Sequence, residues 1–298
     1  MVDEPAVAAS VRSLSLWEMT HRSLEKDARA GQSPQRLLTV CGGTDIGSKR
    51  QQNQDTFVIA DLESGVISRP CVRTDVSISR PGLLLLVCDG MGGAAAGDVA
   101  AHLAAVSIKH ELEIAGSTVV RAPDRSLEHA ISQANRAIFN EAETHPAEKG
   151  MGTTCTAAIV SPEKIAIAQV GDSRAYLLRD ANLRALTRDQ TIAAELFGAG
   201  ALDHQQVARS PFRHILAQAL GTKGHVEPVM TDVDMREGDR LLLCSDGLHG
   251  PLPDADIAAI LNRQPDPFLA AQGLIAAAIA AGGPDNVTVI VANCGVLH

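Results

Sequence analysis

Apolar residues along this chain fall into short runs rather than long stripes. The densest is 83–88, Leu83-Leu84-Leu85-Leu86-Val87-Cys88, which leads straight into Asp89-Gly90-Met91-Gly92-Gly93. A continuous apolar run of that length bounded by turn residues predicts a buried strand. Its acid then emerges at the strand end, where glycines let backbone and ligand come close. Residues 37–40, 56–60, 240–244 and 287–293 read as strands too. So do 153–160, 165–170 and 174–178, joined by Ser161-Pro162-Glu163-Lys164 and Gly171-Asp172-Ser173. Both connectors have turn chemistry and predict an antiparallel meander. Helical spacing marks 94–114 (Val99, Leu103, Val106, Ile108), 126–143 (Leu127, Ile131, Ala134, Ile138), 255–261 and 267–281. Residues 61–81 read as a surface excursion, and 188–220 as a more polar, helical stretch. Residues 1–35 read as an N-terminal tail with room for one short helix near 15–30, and 36–298 as a single domain. Helices inserted between strand blocks without regular alternation predict an α+β fold with largely antiparallel sheets, rather than a doubly wound one.

Composition narrows the function classes. Only 2% of residues are aromatic, so the core is built from Ala, Leu, Val and Ile. The net charge of −9 argues against a nucleic-acid binder. The opening Met-Val-Asp-Glu-Pro has neither the basic start nor the apolar segment of a secretory signal. The longest apolar stretch, near 274–281, is too short to span a bilayer. The six cysteines form no CxxC pair, and Cys88 and Cys244 lie inside apolar runs. Buried free thiols in a reducing compartment follow. The expectation is a soluble, cytoplasmic, monomeric protein that binds neither membrane nor nucleic acid.

Four acids share one local design. Asp89, Asp172, Asp246 and Asp285 each adjoin an apolar strand and sit among Gly, Ser or Pro. Val87-Cys88-Asp89-Gly90 and Cys244-Ser245-Asp246-Gly247 are near-duplicates. An unpaired buried carboxylate is too costly to persist, so acids at strand ends either pair or hold cations. Hard oxygen donors suit Mg²⁺ or Mn²⁺; no His/Cys spacing suited to zinc is present.

The ordered set of motifs resembles the metal-dependent Ser/Thr protein phosphatases of the PP2C (PPM) type, especially bacterial members. The resemblance covers about 40–291: Thr44-Asp45-Ile46-Gly47 with Arg50, Asn53 and Asp55; Asp89-Gly90-Met91-Gly92-Gly93 with Gly97-Asp98; and Met151-Gly152-Thr153-Thr154. It continues through Gly171-Asp172-Ser173-Arg174, Leu186-Thr187-Arg188-Asp189, Ala219-Leu220-Gly221, Ser245-Asp246-Gly247-Leu248 and Pro284-Asp285-Asn286. It implies a four-layer α/β/β/α sandwich, two stacked antiparallel sheets flanked by helices, with two divalent cations at one end. Asp89 would bridge both, the Gly90 carbonyl would ligate one, and Asp246 and Asp285 would complete the other. Asp55 would act near them through water. Arg50 would grip the phosphate by a bidentate fork. Asp172 corresponds to a third, weaker cation site shared with Asp246. The reaction implied is hydrolysis of phosphoserine and phosphothreonine in proteins by a water between two Mn²⁺ or Mg²⁺ ions, opposing a Ser/Thr kinase. Residues 190–215 correspond to a variable flap, where Arg209, Arg213 and His214 could meet phosphopeptide.

Three positions depart from the family pattern. Gln54 stands where many relatives have Glu, Met91 where eukaryotic relatives have a His considered as general acid, and Gln190 where a His is common. None removes an inner carboxylate. The run Gly90-Met91-Gly92-Gly93-Ala94-Ala95 also satisfies a dinucleotide fingerprint. The acids about 20 residues on, Glu111 and Glu113, fall in a helix rather than at a strand end, which ribose binding needs. The remaining rival is a catalytically weak, regulatory phosphoprotein-binding module on the same fold.

Overall fold

From Leu83 to Cys88 every residue is buried, yet successive side chains enter different cores. Leu84, Leu86 and Cys88 join one apolar cluster, and Leu83, Leu85 and Val87 another. A strand covered on both faces needs apolar residues at every position, which explains the unbroken run in the sequence. Each fully buried Leu contributes about 1.5–3 kcal/mol. The structure, a computed structural model, describes residues 36–65, 70–78, 81–92 and 96–296. The expected tail and its helix lie outside them.

Two antiparallel sheets result. The first contains β1 (Arg36–Asp45), β3 (Thr74–Ile78), β8 (Arg174–Arg179), β9 (Asn182–Ala185), β11 (Arg240–Cys244) and β12 (Val287–Val296), in the order β3-β1-β12-β11-β8-β9. The second contains β2 (Asp55–Asp61), β4 (Leu83–Met91), β6 (Cys155–Val160), β7 (Lys164–Val170) and β10 (Val229–Asp234), in the order β10-β7-β6-β4-β2. The two-residue β5 (Gly152–Thr153) pairs with the end of β4. Leu85, Ile167, Leu177, Leu243 and Ile290 meet between the sheets.

Helices cover both outer faces. Against the second sheet lie α1 (Ala96–Ala115), α2 (Ser117–Arg121) and α3 (Pro123–Thr144), with Ile108, Leu127, Ile131 and Ile138 packed beside Leu84 and Leu86. Between β9 and β10 come α4 (Ile192–Gly198) and α5 (His204–Arg209). The single turn α6 (Asp246–His249) follows β11, and α7 (Asp254–Arg263) and α8 (Pro267–Ala280) cover the first sheet through Ile257, Leu261 and Leu274. The layers are the α/β/β/α sandwich that the motifs implied. Among the described residues no helix is long and apolar enough to cross a membrane.

Two local expectations need correction. Residues 61–81 are not all surface excursion, because β3 pairs with β1 along Arg36–Val40. In α1 the buried face is Ala100, Ala101, Ala104, Ala105, Ile108 and Leu112, while Val106 is 52% exposed. The helix therefore packs mainly with an alanine face anchored by Ile108 and Leu112, while Val99 and Leu103 lie partly within that contact and Val106 outside it.

Strand register brings the acids to one end. In the second sheet Asp55 lies directly opposite Asp89, and Cys155 opposite Val170, just before Gly171-Asp172. In the first, Cys244 pairs with both Arg174 and Val289, so Asp246 and Asp285 emerge beside the Asp172 turn.

Candidate active site

Each acid is held by backbone or hydroxyl contacts specific to its motif. Asp89 is fixed through its main chain: its N–H donates to Thr154 Oγ1 (2.9 Å), and its carbonyl accepts from Thr154 N (2.8 Å) and Thr153 Oγ1 (2.9 Å). Thr154 Oγ1 also meets Ser173 Oγ at 2.7 Å, joining the strand end of Asp89 to the turn of Asp172. Asp55 accepts from Ser245 Oγ at 2.7 Å, and that hydroxyl in turn accepts from Thr288 N. Asn286 organises the Asp285 corner. Its side chain donates to the Ile46 and Gln52 carbonyls and accepts from Gln54 N, stitching the Arg50 loop to β12.

Glycines at two points allow elements to come closer than any side chain permits. A Cβ on Gly90 would lie 2.1 Å from the Gly97 carbonyl oxygen, so the end of β4 sits back to back with the start of α1. A Cβ on Gly247 would lie 1.9 Å from the Asn286 carbonyl oxygen, which packs the Asp246 turn against the Asp285 corner.

These contacts wall a cavity of about 1160 Å³. Asp89, Gly90, Asp172, Asp246 and Asp285 line it with Arg50, and Asp55 is buried beneath. Every acid singled out in the sequence therefore meets at one place. Arg213 and His214 reach the wall as well, whereas Arg209 does not line it. Met91 also lines the cavity, 37% exposed.

Burial of so many like charges is reflected in their protonation. Burial is the main cause in each case, reinforced by the neighbouring carboxylates. It pushes Asp55 up to about 7, with the Ser245 hydrogen bond opposing, and Asp172 up to about 8. Asp89 and Asp246 are raised for the same reasons. Residues directly opposite in an antiparallel pair have Cβ atoms about 5 Å apart, and two ionised side chains held at that spacing repel. At an effective dielectric of about 20 that repulsion is roughly 3 kcal/mol per ionised pair. One cation in reach does not resolve it. Arg50 donates to Asp285 at 2.5 Å, but its side chain is 51% exposed and it meets one acid of five.

The donor set fits divalent cations. It consists of carboxylate oxygens and a strand-end carbonyl, which are hard ligands. Asp55 Oδ1 and Asp246 Oδ1 are shielded from solvent and have no hydrogen-bond partner. Such orphaned acceptors are rare unless something electropositive belongs beside them.

Several contributors were not legible beforehand. Ser245 and Asn286 stand next to acids that were recognised, and only that adjacency signalled them. Gln190, whose effect was open, accepts from Gly171 N at 2.8 Å and donates its own N–H to the Gly171 carbonyl at 2.9 Å, so it clamps the Asp172 turn from the side. Gln54 contributes its backbone, accepting from Gly90 N. His249 Nε2 lies 3.0 Å from the Asp172 carbonyl, and burial, with Arg174 close by, lowers that imidazole to about 4.

Comparison with known proteins agrees with this geometry. The protein phosphatase 2C pattern matches residues 73–274. The serine/threonine protein phosphatase PstP of Mycobacterium tuberculosis is 40% identical over 212 residues, which is 70% of this chain and 40% of that protein. The chain thus spans well under half the length of that relative. The serine/threonine phosphatase stp of Listeria innocua is 36% identical over 208 residues, 70% of this chain and 82% of its own. Among solved structures, the catalytic domain of PstP in complex with two manganese ions superposes with a TM-score of 0.72 at 33% identity, covering 87% of this chain and 99% of that one. With five acids converging at one end of a double-sheet sandwich and a family match across most of its length, the chain belongs to the protein phosphatase 2C family.

Proposed function

We propose that residues 36–298 form a metal-dependent protein phosphatase that hydrolyses phosphoserine and phosphothreonine in proteins. The observation that carries this reading is the convergence of Asp55, Asp89, Asp172, Asp246 and Asp285 on one cavity, with two buried carboxylate oxygens that lack partners. Asp89 and the Gly90 carbonyl, with Asp246 and Asp285, would hold two Mn²⁺ or Mg²⁺ ions. Asp172 and Asp246 would hold a third, weaker one. The pair of manganese ions named for PstP supports that count of two. When bound, the cations supply an ionised water at neutral pH and neutralise the charge that builds on the phosphoryl oxygens.

The chain's own groups then position and hold. Asp55, fixed by Ser245, accepts hydrogen bonds from water at the floor of the cavity. Arg50 binds the phosphate oxygens through its planar fork. Met91 brings no proton to the leaving oxygen, so protonation falls to solvent or to another group lining the cavity. Substrates are phosphorylated proteins, the products of a Ser/Thr kinase. All six cysteines are free and five of them buried, which fits a reducing, cytoplasmic setting.

Hydrolysis of p-nitrophenyl phosphate and of a phosphothreonine peptide tests the reading. Turnover is expected with Mn²⁺ and none in EDTA. Metal-independent turnover overturns it, and phosphopeptide binding without turnover in Mn²⁺ identifies a binding module instead. Within the same assay, Arg50→Ala is expected to lower kcat/KM about 10–100-fold, the value of losing charge-assisted bonds to phosphate. Arg50→Lys is expected to recover only part, since an ammonium cannot reproduce the fork. An unchanged kcat/KM in Arg50→Ala removes that residue from the site.

A further inference from the structure

We propose that His249 is a positioning residue that sets the spacing between Asp172 and Asp246, and through it the affinity of the weaker cation site. This rests on the reading that those two acids share a cation.

Asp246 and His249 are the first and last residues of the single turn α6, three positions apart and so on neighbouring positions of one helical face. The Asp172 carbonyl can only accept, so at 3.0 Å the His249 Nε2 atom carries the hydrogen and donates it. Among the described residues no other hydrogen bond runs from α6 to the backbone of Asp172. The other tethers of that turn come from elsewhere. Gln169 donates to the Gly171 and Ser173 carbonyls, Gln190 brackets Gly171, and Thr154 meets Ser173. They hold the Asp172 turn from the side of β7, and the pairing of Arg174 with Cys244 brings it beside the Asp246 turn. His249 then ties α6 itself to the Asp172 backbone and so fixes the final spacing of the two acids.

The same short turn grips the neighbouring acids at its other end. Ser245, immediately before it, donates to Asp55. Gly247 lies against the Asn286 carbonyl. One helical turn therefore acts as a spacer between Asp55, Asp246, Asp172 and the Asp285 corner, and His249 is its link to Asp172. Groups that orient a metal's ligands from outside typically change metal affinity 10–100-fold when removed. The effect here falls mainly on the shared site: Asp89 and Asp285 are held through Thr153, Thr154 and Asn286, Asp246 by the packing of Gly247 against Asn286, and of the four acids only Asp172 is reached through His249.

The test is a Mn²⁺ titration of EDTA-stripped full-length protein, with free Mn²⁺ read by electron paramagnetic resonance and resolved into a tight and a weaker class. His249→Leu is expected to weaken the weaker class about tenfold or more while leaving the tight class within about twofold. His249→Gln, whose amide can donate to the same carbonyl, is expected to restore most of that affinity. Asp172→Asn is expected to lose the weaker class, and adding His249→Leu to it is expected to change nothing further. A weaker class that survives His249→Leu but not Asp172→Asn overturns the proposal alone. Survival in Asp172→Asn overturns the shared-cation reading and the proposal with it. Equal weakening of both classes in His249→Leu and His249→Gln also overturns the proposal, because it shows general loss of structure. If His249→Leu does not fold, His249→Ser carries the same comparison.

Discussion

Asp89→Asn is expected to abolish hydrolysis while leaving the metal-free chain at least as stable as the parent. The two effects separate because the backbone of Asp89 is fixed through Thr153 and Thr154, while its carboxyl meets that of Asp246, a partner that an Asn amide can also reach. Asn keeps the size and the main-chain bonds but removes the charge. In the metal-free chain that charge is a burden: burial and the surrounding Asp55, Asp246, Asp172 and Asp285 all disfavour it. Asn removes a group that the folded chain can otherwise keep only by holding it protonated. With cations bound the balance would invert, since the amide has one oxygen in place of two and no charge with which to hold them. A fall in kcat on the order of 10³-fold follows from losing one preorganised electrostatic contact at the phosphoryl group. Thermal melts should give a midpoint in EDTA equal to or above the parent's, and a much smaller gain on adding Mn²⁺. Activity within tenfold of the parent, or a clear drop of the midpoint in EDTA, contradicts the assignment of Asp89.

The second large effect is on stability against pH. Without metal the chain is expected to lose stability as pH rises from 5 to 8, opposite to the usual behaviour of a protein rich in ion-paired acids. Asp55 and Asp172 leave an ordinary value of 3.8 for about 7 and about 8 on folding. Between pH 4 and 7 the unfolded chain has released these protons and the folded chain keeps them. The unfolded state then binds fewer protons, so the free energy of unfolding declines with rising pH, by about 1.4 kcal/mol per unit for each such group. The stabilisation is complete below about pH 4 and is lost as pH passes through 7 and 8. Two groups over this window amount to several kcal/mol, on the order of 10 °C in melting temperature for a domain of this size. Saturating Mn²⁺ should remove the decline, because cations compete with the same protons and bind better as those leave. Melts in EDTA and in Mn²⁺ at pH 5.5, 6.5 and 7.5 measure it. A midpoint that climbs with pH in EDTA refutes the buried, protonated acids.

The sequence made the site's acids and the central strands legible for the same reason. Burial on both faces forces unbroken apolar runs, and the acids interrupt those runs at their ends. Edge strands gave no such signal. In β9 no residue is fully buried, and in β10 only Val233 is, so neither Asn182-Leu183-Arg184-Ala185 nor Val229-Met230-Thr231-Asp232-Val233-Asp234 carries a clear period of two. Helix α1 was legible as a helix, but its buried face was not, because five alanines form most of it beside Ile108 and Leu112. The positioning contacts of Asn286, Gln190 and His249 lie between residues far apart in sequence, 234 positions in the case of Asn286 and Gln52. Only the folded register brings such pairs together.

The exposed margins of the two sheets have a consequence of their own. Strands β3, β9 and β10 are three of the four that end the sheets, β2 being the fourth, and an end strand offers unpaired backbone groups to any extended segment of another chain. Asp75 on β3, Arg184 on β9, and Asp232 and Asp234 on β10 place charge along those margins. A strand arriving from a second molecule would have to desolvate them. The features that hid these three strands from the sequence pattern thus guard their margins against growing into stacked, fibre-like assemblies while the acidic cavity stands open.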